Sequence, residues 1–257
     1  MLLEAEKRGE ITAGKTTILE ATSGNTGIGL AMACAVRGYK LMLCMSEAMS
    51  EERKKILAAL GAKLVLTPKE LHTKGAKARV LELHQEISDS YYIRQHDNPD
   101  NIRAHLSGTA EELWQQTDGQ IAVFVAGLGT CGTLSGVSEA LHQKGADVHI
   151  VGVEPAEAPF FRTGHFQAHS IPGIVPGFMP QNYNSKLVDE MVDVPANVAW
   201  STVRELAQSE GILVGISSGA TLWAARELAG RVKFKNKLIV AVVADSGERY
   251  LSTKGLF

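Results

Sequence analysis

Ile121-Ala122-Val123-Phe124-Val125-Ala126 runs without a break into Gly127-Leu128-Gly129-Thr130-Cys131-Gly132-Thr133, and a helical pattern follows over 134–144. Successive side chains of an extended segment point to opposite faces, so an unbroken apolar run leaves neither face for water. Such strands belong to parallel sheets covered by helices on both sides. Glycines directly after the strand allow a tight turn into the helix.

The same alternation extends outward in both directions. Strand patterns fall at 16–20, 40–45, 63–67, 91–95, 121–126, 149–154 and 237–244, and helical patterns at 28–37, 51–60, 75–87, 102–116, 134–144, 198–210 and 220–232. Strand-helix alternation over a whole chain predicts a doubly wound α/β architecture. The turn-rich Asp97-Asn98-Pro99-Asp100-Asn101 predicts a boundary. It separates a smaller domain, 1–98, from a larger one, 99–257. The stretch 155–184 holds five prolines and reads as a long ordered loop of the kind that often serves function. Met1 to Gly9 reads as the second half of a helix, with a terminating glycine and no N-terminal cap.

The bulk numbers exclude several classes. A chain of 257 residues with 45% hydrophobic composition can bury a full core. A net charge of −2 offers no basic surplus for nucleic acid or an anionic membrane. No apolar run approaches the roughly 18 residues of a membrane span. The charged opening Glu4-Ala5-Glu6-Lys7-Arg8 is no signal peptide. Cys34, Cys44 and Cys131 lack paired spacing, which points to a reducing, cytoplasmic setting and away from disulfides or zinc.

Three loops carry hydroxyls, amides and glycines between a strand-like and a helix-like run: Thr22-Ser23-Gly24-Asn25-Thr26-Gly27, Gly129-Thr130-Cys131-Gly132-Thr133 and Gly215-Ile216-Ser217-Ser218-Gly219. A helix start offers unpaired N–H donors and a partial positive charge, which suit a carboxylate or phosphate. Three such loops predict a small, multiply charged ligand at the carboxyl ends of strands. Gly127 to Gly132 also fits G-x-G-x-x-G, with Glu154 closing the next strand, so a dinucleotide-binding oxidoreductase is an alternative. Against it, Thr130 and Thr133 suit a terminal phosphate monoester, and the other two loops are left without a role. Gln95 reads as a solvated strand end, and His96 and His105 as surface or structural residues.

Taken together, these segments resemble the cysteine synthases, or O-acetylserine sulfhydrylases, which are pyridoxal 5′-phosphate enzymes of the tryptophan-synthase-β fold. The resemblance rests on Glu4-Ala5-Glu6-Lys7-Arg8-Gly9, Glu20-Ala21-Thr22-Ser23-Gly24-Asn25-Thr26-Gly27, Met49-Ser50-Glu51-Glu52-Arg53, Gly152-Val153-Glu154-Pro155, Gly215-Ile216-Ser217-Ser218-Gly219 and Asp245-Ser246-Gly247-Glu248-Arg249-Tyr250-Leu251-Ser252-Thr253. The early segments and Asn98-Pro99-Asp100-Asn101 look nearest to the bacterial B type. The resemblance implies two doubly wound parallel-sheet domains. It assigns Asn25 to the cofactor's 3′ oxygen. Gly129, Thr130, Cys131, Gly132 and Thr133 fall to the 5′-phosphate and Ser217 to the pyridine nitrogen. Thr22, Ser23, Gly24, Thr26 and Gln95 take the substrate's α-carboxylate.

The implied reaction replaces the acetate of O-acetylserine with sulfide to give cysteine. A homodimer is implied, and serine acetyltransferase is a candidate partner, since A-type members bind it. The family's Schiff-base lysine lies in a Ser-x-Lys-Asp-Arg stretch ahead of the Glu4 helix, before this chain begins, so no catalytic lysine is assigned. The expectation is an N-terminally truncated member whose activity is in doubt and which holds the cofactor weakly and noncovalently. A non-catalytic homologue that binds an amino acid or a partner's peptide is the second alternative. Cys131 stands where the family usually has glycine.

Overall fold

Thr17–Ala21 is buried along its whole length, and that burial organises the first half of the molecule. The computed structural model describes residues 1–22 and 24–257; Ser23 lies outside the described residues. The chain forms two units, Met1–Asn98 and Pro99–Phe257. In the first, α1 (Leu2–Lys7), β1 (Thr17–Ala21), α2 (Asn25–Arg37), β2 (Lys40–Ser46), α3 (Glu51–Ala59), β3 (Lys63–Thr67), α4 (His72–Glu86) and β4 (Ser90–Tyr92) follow one another. Its strands are all parallel, in the order β3-β2-β1-β4. Leu41, Leu43 and Met45 of β2 line one face with Ile18, while Leu19, Ala21 and Cys44 line the other.

The second unit contains α5 (Pro99–Ala104), a π-turn at His105–Thr109, α6 (Ala110–Gln116), β5 (Ile121–Gly127), α7 (Gly132–Gln143), β6 (His149–Pro155), α8 (Phe160–Thr163), β7 (Glu190–Val194), α9 (Ala196–Glu210), α10 (Ile216–Ala229) and β8 (Leu238–Ala241). Its parallel sheet runs β7-β6-β5-β8. Val123 and Val125 pack toward one layer of helices, Phe124 and Ala126 toward the other. This is the two-sided burial that the 121–126 run requires.

Both sheets share one topology. Three strands are laid down in one direction, and the fourth then joins on the other side of the first. The order reverses between β1 and β4 in one unit and between β5 and β8 in the other. At such a reversal the flanking connections diverge and leave a crevice beyond the carboxyl ends of the strands.

Several details differ from the sequence expectations, among them the strand expected at 237–244, which ends at Ala241. The strand pattern at 91–95 stops at Tyr92, because Arg94 takes a left-handed φ of 56° and turns the chain. Gln95 therefore sits in a turn, and it is buried, not solvated. The helix expected over 102–116 starts at Pro99 and contains the π-turn, into which Gly136 of α7 fits. A Cβ at Gly136 would lie 2.4 Å from the Ile102 carbonyl oxygen. β7 escaped the sequence reading because it is short and only half-buried along most of its length.

Candidate active site

In the first unit the loop after β1 is anchored through its backbone. Thr22 N–H donates to the Cys44 carbonyl at 3.1 Å, and Gly24 N–H donates to the Thr22 hydroxyl oxygen at 3.2 Å. Gly24 caps α2, so Asn25 and Thr26 occupy its first turn, where backbone N–H groups have no helical partner. Asn25 is exposed; Thr22, Gly24 and Thr26 are half-buried. Ser23, also assigned to this loop, is outside the described residues.

Gln95 arrives at the same strand end from the neighbouring connection. Its side-chain amide donates to the Ala21 carbonyl at 3.4 Å. Its backbone N–H donates to Glu20 Oε2 at 3.1 Å, and Ala21 N–H donates to Glu20 Oε1 at 2.8 Å. Glu20 is fully buried. Burial pushes its carboxyl up to about 7, against the lowering by the two backbone hydrogen bonds and by Lys77. His96, next to Gln95 in the chain, is driven down to about 4, by burial first and by Lys77 second, so it is neutral at physiological pH. The structure thus brings Thr22, Gly24, Asn25, Thr26 and Gln95 to one end of one sheet, at the β1/β4 reversal.

In the second unit the loop after β5 is built by close approach. A Cβ on Gly129 would lie 2.6 Å from the Gly173 carbonyl oxygen, and one on Gly132 would lie 2.1 Å from Asn101 Oδ1. Asn101 Nδ2 donates to the Thr130 hydroxyl at 3.1 Å. The Thr133 hydroxyl lies 3.2 Å from His105 Nε2, whose Nδ1 is 3.0 Å from Thr109 Oγ1. Burial lowers the pKa of His105, which keeps the ring neutral. Cys131 caps α7 with φ 63°, a left-handed conformation that a glycine accepts more readily.

Ser217 lies in the first turn of α10, whose start is fastened to the segment after β8. Gly215 N–H donates to the Asp245 carbonyl at 3.0 Å, Ala244 N–H to the Ser218 hydroxyl at 3.1 Å, and the Thr221 hydroxyl to the Val242 carbonyl at 2.8 Å. Gly173 borders both features. Its carbonyl touches Gly129, and a Cβ on it would come 3.9 Å from Ser217 Oγ. Gly129, Thr130, Cys131, Gly132, Thr133 and Ser217 therefore gather around the carboxyl end of β5, beside its reversal with β8.

The donor set of this second cluster suits a phosphate. Hydroxyls, glycine backbone and the first-turn N–H groups of a 12-residue helix face one place, and the side chains of Asn101 and His105 that bond to the two threonine hydroxyls are neutral. Glu154, the residue a dinucleotide would need for its ribose, is fully buried. Its Oε2 accepts from Phe161 N–H at 2.7 Å and its Oε1 from Arg162 N–H at 3.3 Å. Both oxygens are committed to the turn that enters α8, which removes the anchor of the oxidoreductase alternative. Among the described residues no group of three or more His, Cys, Asp and Glu is placed to hold a metal ion, and no helix is long and apolar enough to cross a membrane.

The family model for pyridoxal-phosphate dependent enzymes matches residues 1–245. The chain belongs to the pyridoxal-phosphate dependent enzymes. Pyridoxal phosphate is accordingly its cofactor, and the phosphate-type cluster after β5 fits that group. Among these enzymes, cysteine synthase B of Campylobacter jejuni is 46% identical over 93% of this chain and 79% of its own length. Cysteine synthase A of Escherichia coli K12 is 46% identical over 98% of this chain and 81% of its own. The crystal structure of the cysteine synthase from Entamoeba histolytica superposes with a TM-score of 0.95 at 38% identity, covering all of this chain and 75% of that one. The two parallel sheets with flanking helices are thus the fold of this pyridoxal-phosphate family.

Sequence reasoning missed the supporting roles of Glu20, Asn101 and Gly173, while His105, read as surface or structural, is structural. Glu20 and His105 carried a faint signal, since a charged residue inside an apolar strand and a polar residue inside an apolar helix face need partners when buried.

Proposed function

We propose that this enzyme is a cysteine synthase, replacing the acetate of O-acetylserine with sulfide to form cysteine. The observation that carries the reading is Ser217, a neutral hydroxyl beside the phosphate-type cradle, within a chain 46% identical to cysteine synthases of both the A and B types. Among the described residues this hydroxyl has no hydrogen-bond partner. When bound, pyridoxal phosphate supplies an electron sink for negative charge at the amino acid's α-carbon. A hydroxyl facing the pyridine nitrogen leaves that nitrogen unprotonated and the sink weak, which suits β-elimination and replacement more than transamination.

The remaining roles follow the two clusters. Gly129, Thr130, Cys131, Gly132 and Thr133 would hold the 5′-phosphate through backbone N–H groups and hydroxyls. Thr22, Ser23, Gly24, Thr26 and Gln95 would hold the substrate's α-carboxylate, and Asn25 the cofactor's 3′ oxygen. Met1–Asn98 is then the substrate-carboxylate unit, and Pro99–Phe257 the cofactor-phosphate unit. A homodimer, a cytoplasmic location and serine acetyltransferase as a partner belong to the same reading. Exposed Leu3, Met32 and Val36 support a subunit contact, and three free, buried cysteines support a reducing compartment.

Purified protein given pyridoxal phosphate, O-acetylserine and sulfide is expected to release acetate and cysteine one for one. Acetate release without cysteine would reassign the nucleophile. A shift of cofactor absorbance by an amino acid with neither product would favour the non-catalytic alternative.

A further inference from the structure

Glu20 has a task that the reaction does not explain. The β1–β4 ladder ends with Ile93 N–H donating to the Leu19 carbonyl at 3.1 Å. Beyond that point Arg94 turns away with φ 56°, and the Ile93 carbonyl is taken by Asn98 Nδ2 at 2.8 Å. Two backbone donors, Ala21 N–H and Gln95 N–H, are left on adjacent segments, and two donors cannot bond each other. Glu20 meets both with one carboxylate, an oxygen to each. The same bridge brings the Gln95 side chain onto the Ala21 carbonyl, one residue before the hydroxyl loop begins.

We propose that Glu20 is the positioning residue of the amino-acid carboxylate subsite, fixing Gln95 against the loop after β1 by accepting hydrogen bonds from both strand ends. The proposal rests on the cysteine-synthase reading above. A carboxylate is the side chain the task requires, because each oxygen accepts without donating. Glutamine has the same size but offers one acceptor and one amide that donates, so one of the two N–H groups would face another donor. The charged and titratable groups around Glu20 lie on α4, on β2 and on and just after β4. Lys77 lies on α4 and Asp97 follows β4. Tyr92 on β4 and Cys44 on β2 also feel its charge.

The test compares wild-type holoenzyme with Glu20→Gln and Glu20→Asp. KM and kcat for O-acetylserine are measured alongside calorimetric binding of L-cysteine and of pyridoxal phosphate. Glu20→Gln is expected to raise both KM and the L-cysteine Kd about tenfold, with kcat within threefold and cofactor affinity within twofold of wild type. Glu20→Asp, charged but one methylene shorter, is expected to lose less, and it carries the test alone if the glutamine variant does not fold. The KM ratio of Glu20→Gln to wild type should narrow below about pH 7, where protonation removes the native carboxyl's second free acceptor. Wild-type KM and Kd in a folded variant overturn the proposal, as does an equal loss of kcat, KM and cofactor binding. A wild-type holoenzyme that binds no L-cysteine overturns the substrate reading and the proposal with it.

Discussion

The loops after β1 and after β5 occupy the same place in the same topology, yet they are held by different forces. The β5 loop is fixed by shape. Three glycines, 129, 132 and 136, admit oxygens or carbons at distances no side chain would allow, and Asn101 and His105 lock the two threonine hydroxyls. The β1 loop is less confined, a Cβ on Gly27 coming no closer than 3.1 Å, to the Thr22 side chain. A Cβ on Gly24 would meet nothing within 4 Å. Its fixed point is a buried carboxyl, Glu20, behind the loop. On the proposed reading, the rigid β5 cradle keeps a phosphate bound through every turnover. On the same reading, a substrate carboxylate enters and leaves at the β1 loop, whose anchor, Glu20, sits beneath it.

The largest effect expected from this contrast is in stability against pH. The Glu20 carboxyl keeps its proton up to about 7 in the folded chain, against an ordinary value of 4.5. Between those values the folded state binds more protons than the unfolded state, so stability is full below about 4.5 and falls as pH rises through about 7. The loss is at most about 3 kcal/mol. Denaturant melts at pH 5 and pH 8 should show the wild type losing more stability than Glu20→Gln across that interval. Glu154, also raised by burial, contributes in the same direction in both proteins. Equal slopes for wild type and variant would mean that folding does not hold the Glu20 carboxyl in its protonated form behind the β1 loop.

Next comes a pair of glycine substitutions. In Gly132→Ala the new methyl would sit 2.1 Å from Asn101 Oδ1 and must displace it from Thr130. Overpacking of this kind costs about 1–3 kcal/mol, and a tenfold or greater loss of pyridoxal phosphate affinity is expected in equilibrium dialysis. Gly24→Ala enters open space at an ordinary φ of −100°. Its melting temperature and cofactor affinity should stay near wild type. If Gly24→Ala costs as much as Gly132→Ala, the division between a shaped cradle and an open loop fails.

Removing single hydroxyls sharpens the same division at lower cost. Thr133→Val keeps the shape and deletes one donor, worth about 1 kcal/mol, or roughly a fivefold weaker hold on the cofactor. Thr26→Val should leave cofactor affinity unchanged and raise KM for O-acetylserine by a similar factor. Cofactor titration and initial-rate kinetics on both variants separate the two outcomes.

The unequal construction also explains what the sequence revealed. The α/β architecture was legible because β5 and β6 are apolar on both faces, and the ligand loops because glycine and hydroxyl residues cluster between strand and helix. The supports were not legible, since each works across distance in sequence. Glu20 to Gln95 spans 75 positions, and Asn101 to Thr130 spans 29. Gln95 looked solvated because the turn at Arg94, which tucks it inside, depends on a non-glycine residue in a left-handed conformation. The π-turn at His105–Thr109 keeps a helical spacing of apolar residues, so periodicity alone reads it as ordinary helix. β7 alternates weakly over a half-buried edge and gives too little contrast.

Cys131 gives the smallest effect. Its backbone is left-handed at φ 63°, which costs a non-glycine residue about 1 kcal/mol. Its side chain is buried in the core with Leu134 and Phe161, a gain of similar size. Cys131→Gly relieves the first and forfeits the second, so its net change should lie within about 0.5 kcal/mol. Cys131→Ala keeps the strain and still loses the sulfur, so it should be the less stable variant by roughly 0.5–1 kcal/mol. Glycine deletes more atoms than alanine, and packing alone would rank the two the other way. Melting curves that place the alanine variant above the glycine one would show that the β5 loop holds Cys131 for its side chain and bears no strain in its backbone.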